Sequence, residues 1–351
     1  MRFRPLAVLA LASATLAASG AAALHGTTHA FGVPTAALTN HLTLTKQARG
    51  HKGDGDVLSQ PIAVAVPIPT ATPLSTPTPT PAPTPAPTPS PLPISLPPPP
   101  GYSNMIFDDQ FIGTTLDSSK WNTYIASKAS NGYPWNSNGT GGSGGVPNGN
   151  NAAYFEPSQV SVNSGLNLTA VRGSSQPGDE WTSGVLSTYG KFQFRGGYIQ
   201  VAAKMPSGVG MWPGLWMLPG PGCTCKSDNF EIDQFEGGFL DGAVNTLDVF
   251  AWNLHQGAPD HGGNTHTGFD LSAAYHVYGL KWVAGQSITW YLDGQQVGQI
   301  TSGQATIPDE PMELILSLYV GSSLTSRWHQ AYGPSTPSRS RMSVAEVQVY
   351  Q

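Results

Sequence analysis

The sequence predicts an all-β domain, a β-sandwich of jelly-roll type, over residues 103–351. Three observations predict it. Many short segments in this region alternate apolar and polar residues, the pattern of a half-buried strand. Asp293-Gly294 stands between two such segments, where an Asp-Gly pair suits the tight turn of a hairpin. No long stretch carries a helical period with caps, and the chain holds 41 Gly and 32 Pro with only 11% charged residues, against roughly 25% in ordinary soluble proteins.

From the N-terminus, Arg2 and Arg4 precede an apolar Ala/Leu-rich run, Leu6 to Ala18, and small residues ending Ala21-Ala22-Ala23. This predicts a secretory signal peptide over 1–23 and an extracellular protein. The run is shorter than the ~20 residues of a spanning helix, so no membrane insertion is expected. Residues 24–60 show no periodicity and are too few for a core; they are expected to be disordered. Residues 61–102 form a Pro/Thr-rich linker, as in Pro77-Thr78-Pro79-Thr80-Pro81, whose composition favours extended polyproline II.

All nine Trp lie between Trp121 and Trp328, which places the folded domain after the linker. Strands are expected at Gly165–Val171, Phe192–Phe194, Tyr198–Ala203, Ser287–Leu292, Gln295–Ile300, Met312–Val320 and Met342–Tyr350. Eleven Lys and Arg face nineteen Asp and Glu after residue 102. That balance excludes a nucleic-acid partner bound by phosphate neutralisation. Two cysteines, Cys223 and Cys225, exclude a disulfide framework and a four-Cys zinc site. The Gly-rich stretch 137–150 is expected to be a mobile loop beside the functional face.

The segment that carries chemistry is Asn229-Phe230-Glu231-Ile232-Asp233-Gln234-Phe235-Glu236. In a regular strand Glu231 and Asp233 share one face and Glu236 falls on the other. A β-bulge at Gln234-Phe235 brings Glu236 back to the first face. Phe230 and Ile232 then pack inward and three carboxyl groups line one surface. Like charges held close push at least one pKa upward, leaving one acid and one carboxylate near neutral pH, the pair that glycosidic cleavage needs. A solvated acidic strand face or a calcium site are the other readings of the same residues.

At these residues the chain resembles glycoside hydrolase family 16, in its bulged, laminarinase-like branch, marked by Glu-x-Asp-x-x-Glu. Further segments resemble the family in order: Phe107–Phe111 with Leu116–Trp121, Trp181-Thr182-Ser183-Gly184, Gly208–Pro219 with Trp212-Pro213 and Trp216, Tyr278–Trp282, and the closing Val347–Gln351. The resemblance implies a concanavalin-like jelly roll with a concave sugar cleft. By position it implies Glu231 as nucleophile, Glu236 as acid/base and Asp233 as the group between them that tunes the nucleophile. Trp216 and Trp212 are expected to stack on sugar, His255 to touch substrate near the cleaved bond, and Trp181 and Trp252 to line the cleft.

Where relatives carry calcium ligands, this chain reads Asp109-Gln110-Phe111 and Val344-Ala345-Glu346, so no metal and no other cofactor is expected. The loop after Pro219 lacks the Trp that laminarinases often place there and carries Cys223-Thr224-Cys225 instead. The sequence leaves open whether those two thiols bond to each other, to another chain, or stay free. The expectation is a monomeric, secreted, endo-acting retaining hydrolase of β-1,3- or mixed β-1,3/1,4-glucan. The alternatives are a non-catalytic, lectin-like carbohydrate-binding jelly roll, and a transglycosylase or galactan hydrolase on the same scaffold.

Overall fold

The structure is a computed structural model and describes residues 96–128, 132, 150–173, 180–225, 230–242, 246–257, 259–325 and 327–351. The segment 1–23 expected as a signal peptide, the segment 24–60, the Pro/Thr-rich stretch as far as residue 95, and the Gly-rich stretch 137–149 lie outside the described residues.

The described chain is built from sixteen strands: β1 (Met105–Asp109), β2 (Ala153–Phe155), β3 (Val160–Val162), β4 (Leu166–Arg172), β5 (Trp181–Ser183), β6 (Val185–Ser187), β7 (Gly197–Lys204), β8 (Met211–Pro219), β9 (Glu231–Glu236), β10 (Val249–His255), β11 (His261–His266), β12 (His276–Val283), β13 (Ser287–Leu292), β14 (Gln295–Thr301), β15 (Met312–Val320) and β16 (Arg339–Tyr350). They form two sheets. The larger runs β14-β13-β12-β7-β16-β4-β5-β2, with β1 on β16 and β3 on β4. The smaller runs β11-β10-β9-β8-β15-β6. This is the sandwich that the alternating segments predict.

Side-chain alternation explains the layering. On β7, Ile199, Val201 and Ala203 enter the core, and on β13 Ile288, Trp290 and Leu292 do the same. From the smaller sheet Leu215, Met217, Ile232, Phe235, Phe250 and Leu254 meet them. Asp293 (φ 49°) and Gly294 (φ 78°) both take positive φ between β13 and β14, as the turn matching the strand twist requires. The expected strand at Phe192–Phe194 is a correction: only Phe194 forms an isolated bridge, to Met312. The preceding residues turn instead, with Lys191 and Phe192 N–H both donating to the Thr188 carbonyl (2.9 Å each).

The last residues of the expected linker, 96–102, belong to the described part and pack on the larger sheet. Leu96 is buried and donates its N–H to Glu346 Oε2 at 3.0 Å, and Gln200 Nε2 donates to the Pro97 carbonyl at 3.0 Å. Cys223 and Cys225 are joined by a disulfide, in the loop leaving β8. Among the described residues no helix is long and apolar enough to cross a membrane.

Candidate active site

β9 lies in the middle of the smaller sheet, between β8 and β10. On one side Trp216 is opposite Asp233 and Gly214 opposite Glu236; on the other, Asn253 is opposite Asp233 and Ala251 opposite Glu236. Each neighbour spends two residues where β9 spends three, so β9 carries the bulge that its sequence predicts. The extra residue turns two consecutive side chains inward. Gln234 and Phe235 are both buried, and Phe235 packs on Phe250 and Tyr278 with ring centroids 5.1 and 4.7 Å away. The larger sheet pins the kink: Trp290 Nε1 donates to the Asp233 carbonyl and Gln234 Nε2 to the Tyr278 carbonyl, each at 2.8 Å.

Glu231, Asp233 and Glu236 therefore reach one cleft of about 460 Å³. Its wall also holds Trp212, Gly214 and Trp216 from β8, Asn253 and His255 from β10, Ser317 and Tyr319 from β15, and Phe239, Asp260 and Trp328 from loops. Gly214 keeps the floor open beside Glu236: a Cβ there would stand 3.0 Å from Ser317 Oγ and 3.2 Å from Trp216 Cδ1.

Each carboxyl group has its own surroundings. Trp212 Nε1 donates to Glu236 Oε1 at 2.9 Å and Asn253 Nδ2 to Glu236 Oε2 at 3.2 Å. Burial raises the Glu236 pKa and the Glu231 charge adds to it, while the Trp212 and Asn253 donors work the other way. Asp233 is pushed up to about 7, by burial first and the Glu236 charge second, against the pull of His255. His255 Nε2 meets Asp233 Oδ2 at 2.9 Å and its Nδ1 meets Asp260 Oδ1 at 2.9 Å. Burial pulls the His255 ring down, but Asp233, Glu231 and Asp260 outweigh it and push it up to about 10.

Glu231, Asp233 and His255 offer donor atoms within 4.8 Å of one another. His255 is already engaged at both ring nitrogens, by Asp233 and by Asp260. Calcium takes six to eight oxygens, more than these two carboxyl groups supply.

The sequence-predicted residues divide clearly. Glu231, Asp233, Glu236, Trp216, Trp212 and His255 come together in the cleft. Trp212 is 7% exposed and boxed by Tyr319, Trp328 and His329 at 5.2, 5.1 and 4.7 Å. What it offers the cleft is its N–H on Glu236, more than a face for a sugar. Two expectations are corrected. Trp181 has no exposed surface and belongs to the core between the sheets, with Tyr332 and Arg172 packed on its ring. Trp252 stands three residues before His255, so the alternation that turns His255 into the cleft turns Trp252 behind the sheet, onto Trp290 at 4.9 Å.

Residues 148–341, more than half of the chain, match the family described as Glycosyl hydrolases family 16. The chain belongs to that family. It is 34% identical over 279 residues to glucan endo-1,3-beta-glucosidase A1 of Niallia circulans, covering 71% of this chain and 38% of that protein. It is 30% identical over 180 residues to a beta-glucanase of Rhodothermus marinus, covering 46% of this chain and 60% of that protein. The chain thus spans less than two thirds of the length of these curated relatives. The laminarinase catalytic domain of Thermotoga maritima MSB8 superposes with a TM-score of 0.57 at 25% identity, over 70% of this chain and 97% of that one. The endo-beta-1,3-glucanase of Pyrococcus furiosus gives 0.57 at 24% identity, over 70% and 94%.

In this family 16 chain, sequence reasoning missed seven cleft residues, five of them with a clear signal or a clear reason. Asn253 is two residues before His255 and shares its face, so strand parity alone points to it. Tyr319 and Ser317 lie on β15, buried along its whole length, where alternation carries no signal. Phe239 and Trp328 stand outside the strands, where no period applies.

Proposed function

We propose that the protein is an exported, endo-acting, retaining glycoside hydrolase that cleaves β-1,3- or mixed β-1,3/1,4-glucan by double displacement. The observation that carries the reading is the trio Glu231, Asp233 and Glu236 on the open side of one bulged strand, with Glu236 raised by burial. Relatives whose names are glucan endo-1,3-beta-glucosidase and beta-glucanase support the substrate class. The Arg2/Arg4 and apolar start of the sequence supports export.

In the first displacement a Glu231 oxygen bonds to the anomeric carbon as the bond to the leaving oxygen breaks, and Glu236 gives that oxygen its proton. The glycosyl ester removes the negative charge of Glu231, one of the causes holding the Glu236 pKa up. Glu236 then takes a proton from the water that attacks the same carbon, and Glu231 leaves as carboxylate. Asp233, at about 7 and paired with His255, sits between the two as a buried donor or acceptor that can follow the charge. The exposed part of the Trp216 ring suits the C–H face of a pyranose, while its N–H is held by Ser317 Oγ at 3.0 Å. A binding module has no use for a carboxyl group whose pKa is raised by burial beside a second carboxylate.

The test is product analysis on laminarin, lichenan, xyloglucan, agarose and carrageenan. Oligosaccharides of mixed length from laminarin, lichenan or both are expected. Products only from agarose or carrageenan would overturn the substrate class, and no product from any polymer would overturn the activity.

A further inference from the structure

Trp328, His329 and Gln330 run against the chain that leaves β9, and the middle one is a histidine that the chemistry above does not use. His329 has no exposed surface. Its Nε2 lies 2.7 Å from the Gly237 carbonyl oxygen and its Nδ1 2.9 Å from the Gln330 carbonyl oxygen. Gln330 N–H donates to the Gly238 carbonyl at 2.9 Å, and Phe239 bridges His329. The imidazole lies 4.7 Å from the Trp212 ring at 37°. Two glycines make room for it: a Cβ at Gly238 (φ +86°) would stand 2.5 Å from His329 Nε2, and one at Gly321 2.9 Å from Nδ1.

The ring thus touches two things that set Glu236. One is the backbone of the next residue, Gly237. The other is Trp212, whose Nε1 donates to Glu236 Oε1 at 2.9 Å. A neutral imidazole carries one N–H, so only one of the two facing carbonyls receives a bond. Placed on Nε2, that proton goes to the Gly237 carbonyl, the nearer of the two. Burial pulls His329 down to about 4, which keeps the ring neutral at working pH.

We infer that His329 is a positioning residue for Glu236: its Nε2–H clamps the Gly237 carbonyl and its ring backs the Trp212 indole, keeping the indole N–H on Glu236 through both displacements. The inference rests on the acid/base role proposed for Glu236. Around Glu236 stand Glu231 and Asp233 from its own strand, His255 and Asn253 from β10, Tyr319 from β15 and Trp212 from β8. Of these, Trp212 is in ring contact with His329. The Trp212 N–H favours the ionised carboxyl, so loosening it raises the Glu236 pKa and moves the alkaline limb of kcat/KM to higher pH.

His329→Leu removes both the donor and the aromatic face, and His329→Gln keeps a donor for the Gly237 carbonyl. The Leu variant is expected to lose about tenfold in kcat with KM within about twofold, and its alkaline limb moves up by about half a pH unit. The Gln variant recovers part of both. A folded Leu variant with an unmoved limb, or a Gln variant no better than Leu, would overturn the inference. Carbon-13 NMR titration of the Glu236 carboxyl separates this from the activity itself: an upward shift in the Leu variant of a chain that cuts no glycan rejects the acid/base reading and keeps the positioning link. Should the Leu variant not fold, nitrogen-15 NMR of the wild-type histidines decides. An Nε2–H tautomer at His329 is expected, and an Nδ1–H tautomer would overturn the clamp.

Discussion

In the proposed double displacement Glu236 gives a proton in one step and takes one in the next, and its contacts match that demand. Burial and the Glu231 charge favour the acid; the Trp212 and Asn253 donors favour the carboxylate. Neither side is alone, so a change at Glu231 can tip the balance. Glu231→Gln is expected to abolish hydrolysis of every glucan while circular dichroism and Tm stay near wild type; wild-type rates in that variant would contradict the nucleophile assignment. Glu236→Ala is expected to keep activity on aryl glycosides with good leaving groups and to gain rate with azide. No rescue by azide would count against the acid/base role.

The Asp233–His255 pair carries a pH signature in stability. His255 is raised to about 10 in the fold, so its contribution is present below the usual histidine range and is lost as pH rises through about 10. Asp233, raised to about 7, favours the protonated fold and likewise loses stability as pH rises through about 7. Both signs agree. Tm is therefore expected to fall from pH 7 to 10, and Asp233→Asn to flatten that fall; an equally steep fall in the variant would contradict the pairing. At this scale the sequence was most legible where acids are scarce. Three within six residues, set among Phe230, Ile232 and Phe235, stand out in a chain with 11% charge. Tryptophan identity said less, because indole suits a core as well as a cleft. Trp181 and Trp216 carry the same side chain and differ in what packs over them.

At the scale of the strand, one residue decides which side Glu236 faces. Gln234 is the surplus in both ladders, since Asp233 and Glu236 pair with residues two apart on β8 and on β10. Deleting Gln234 makes both ladders regular and leaves Glu-Ile-Asp-Phe-Glu, in which all three acids alternate onto one face. The deletion variant is expected to fold and to keep measurable hydrolysis of an aryl β-glucoside. A folded but inactive deletion variant, with Glu236 protected from solvent, would contradict the role given to the bulge. Gln234→Ala keeps the bulge and loses only the bond to the Tyr278 carbonyl, a cost of about 1 kcal/mol measured by denaturant unfolding. The bulge was legible because Glu236 stands five positions after Glu231, an odd spacing that a regular strand puts on opposite faces; Trp252 was misplaced in the cleft, because its side of β10 follows only once His255 is placed. Phe192–Phe194 misled because two aromatics in alternation resemble a strand, whereas the backbone there satisfies itself in a turn on Thr188.

For the whole molecule, the smaller sheet gives the cleft its floor and the loops give it its ends. The strands were readable from alternation and from the Asp293-Gly294 turn. The loop walls at Phe239 and Trp328 were not, because their places depend on contacts distant in sequence, such as Leu240 N–H on the Trp328 carbonyl at 3.0 Å. The linker's end is another such contact. A chain starting at Leu96 is expected to keep the Tm of the full chain, and one starting at Met105 to lose about 1–3 kcal/mol, since the buried Glu346 carboxyl then lacks the Leu96 N–H. Equal stability of the two would mean that this docking contributes nothing.

In the proposed reaction Glu231 and Glu236 act in turn on one anomeric carbon. Proton NMR of laminarin hydrolysis in its first minutes reads that directly, before mutarotation mixes the anomers. The β-anomer is predicted to appear first; first appearance of the α-anomer would mean a single displacement and would contradict the roles given to the two residues.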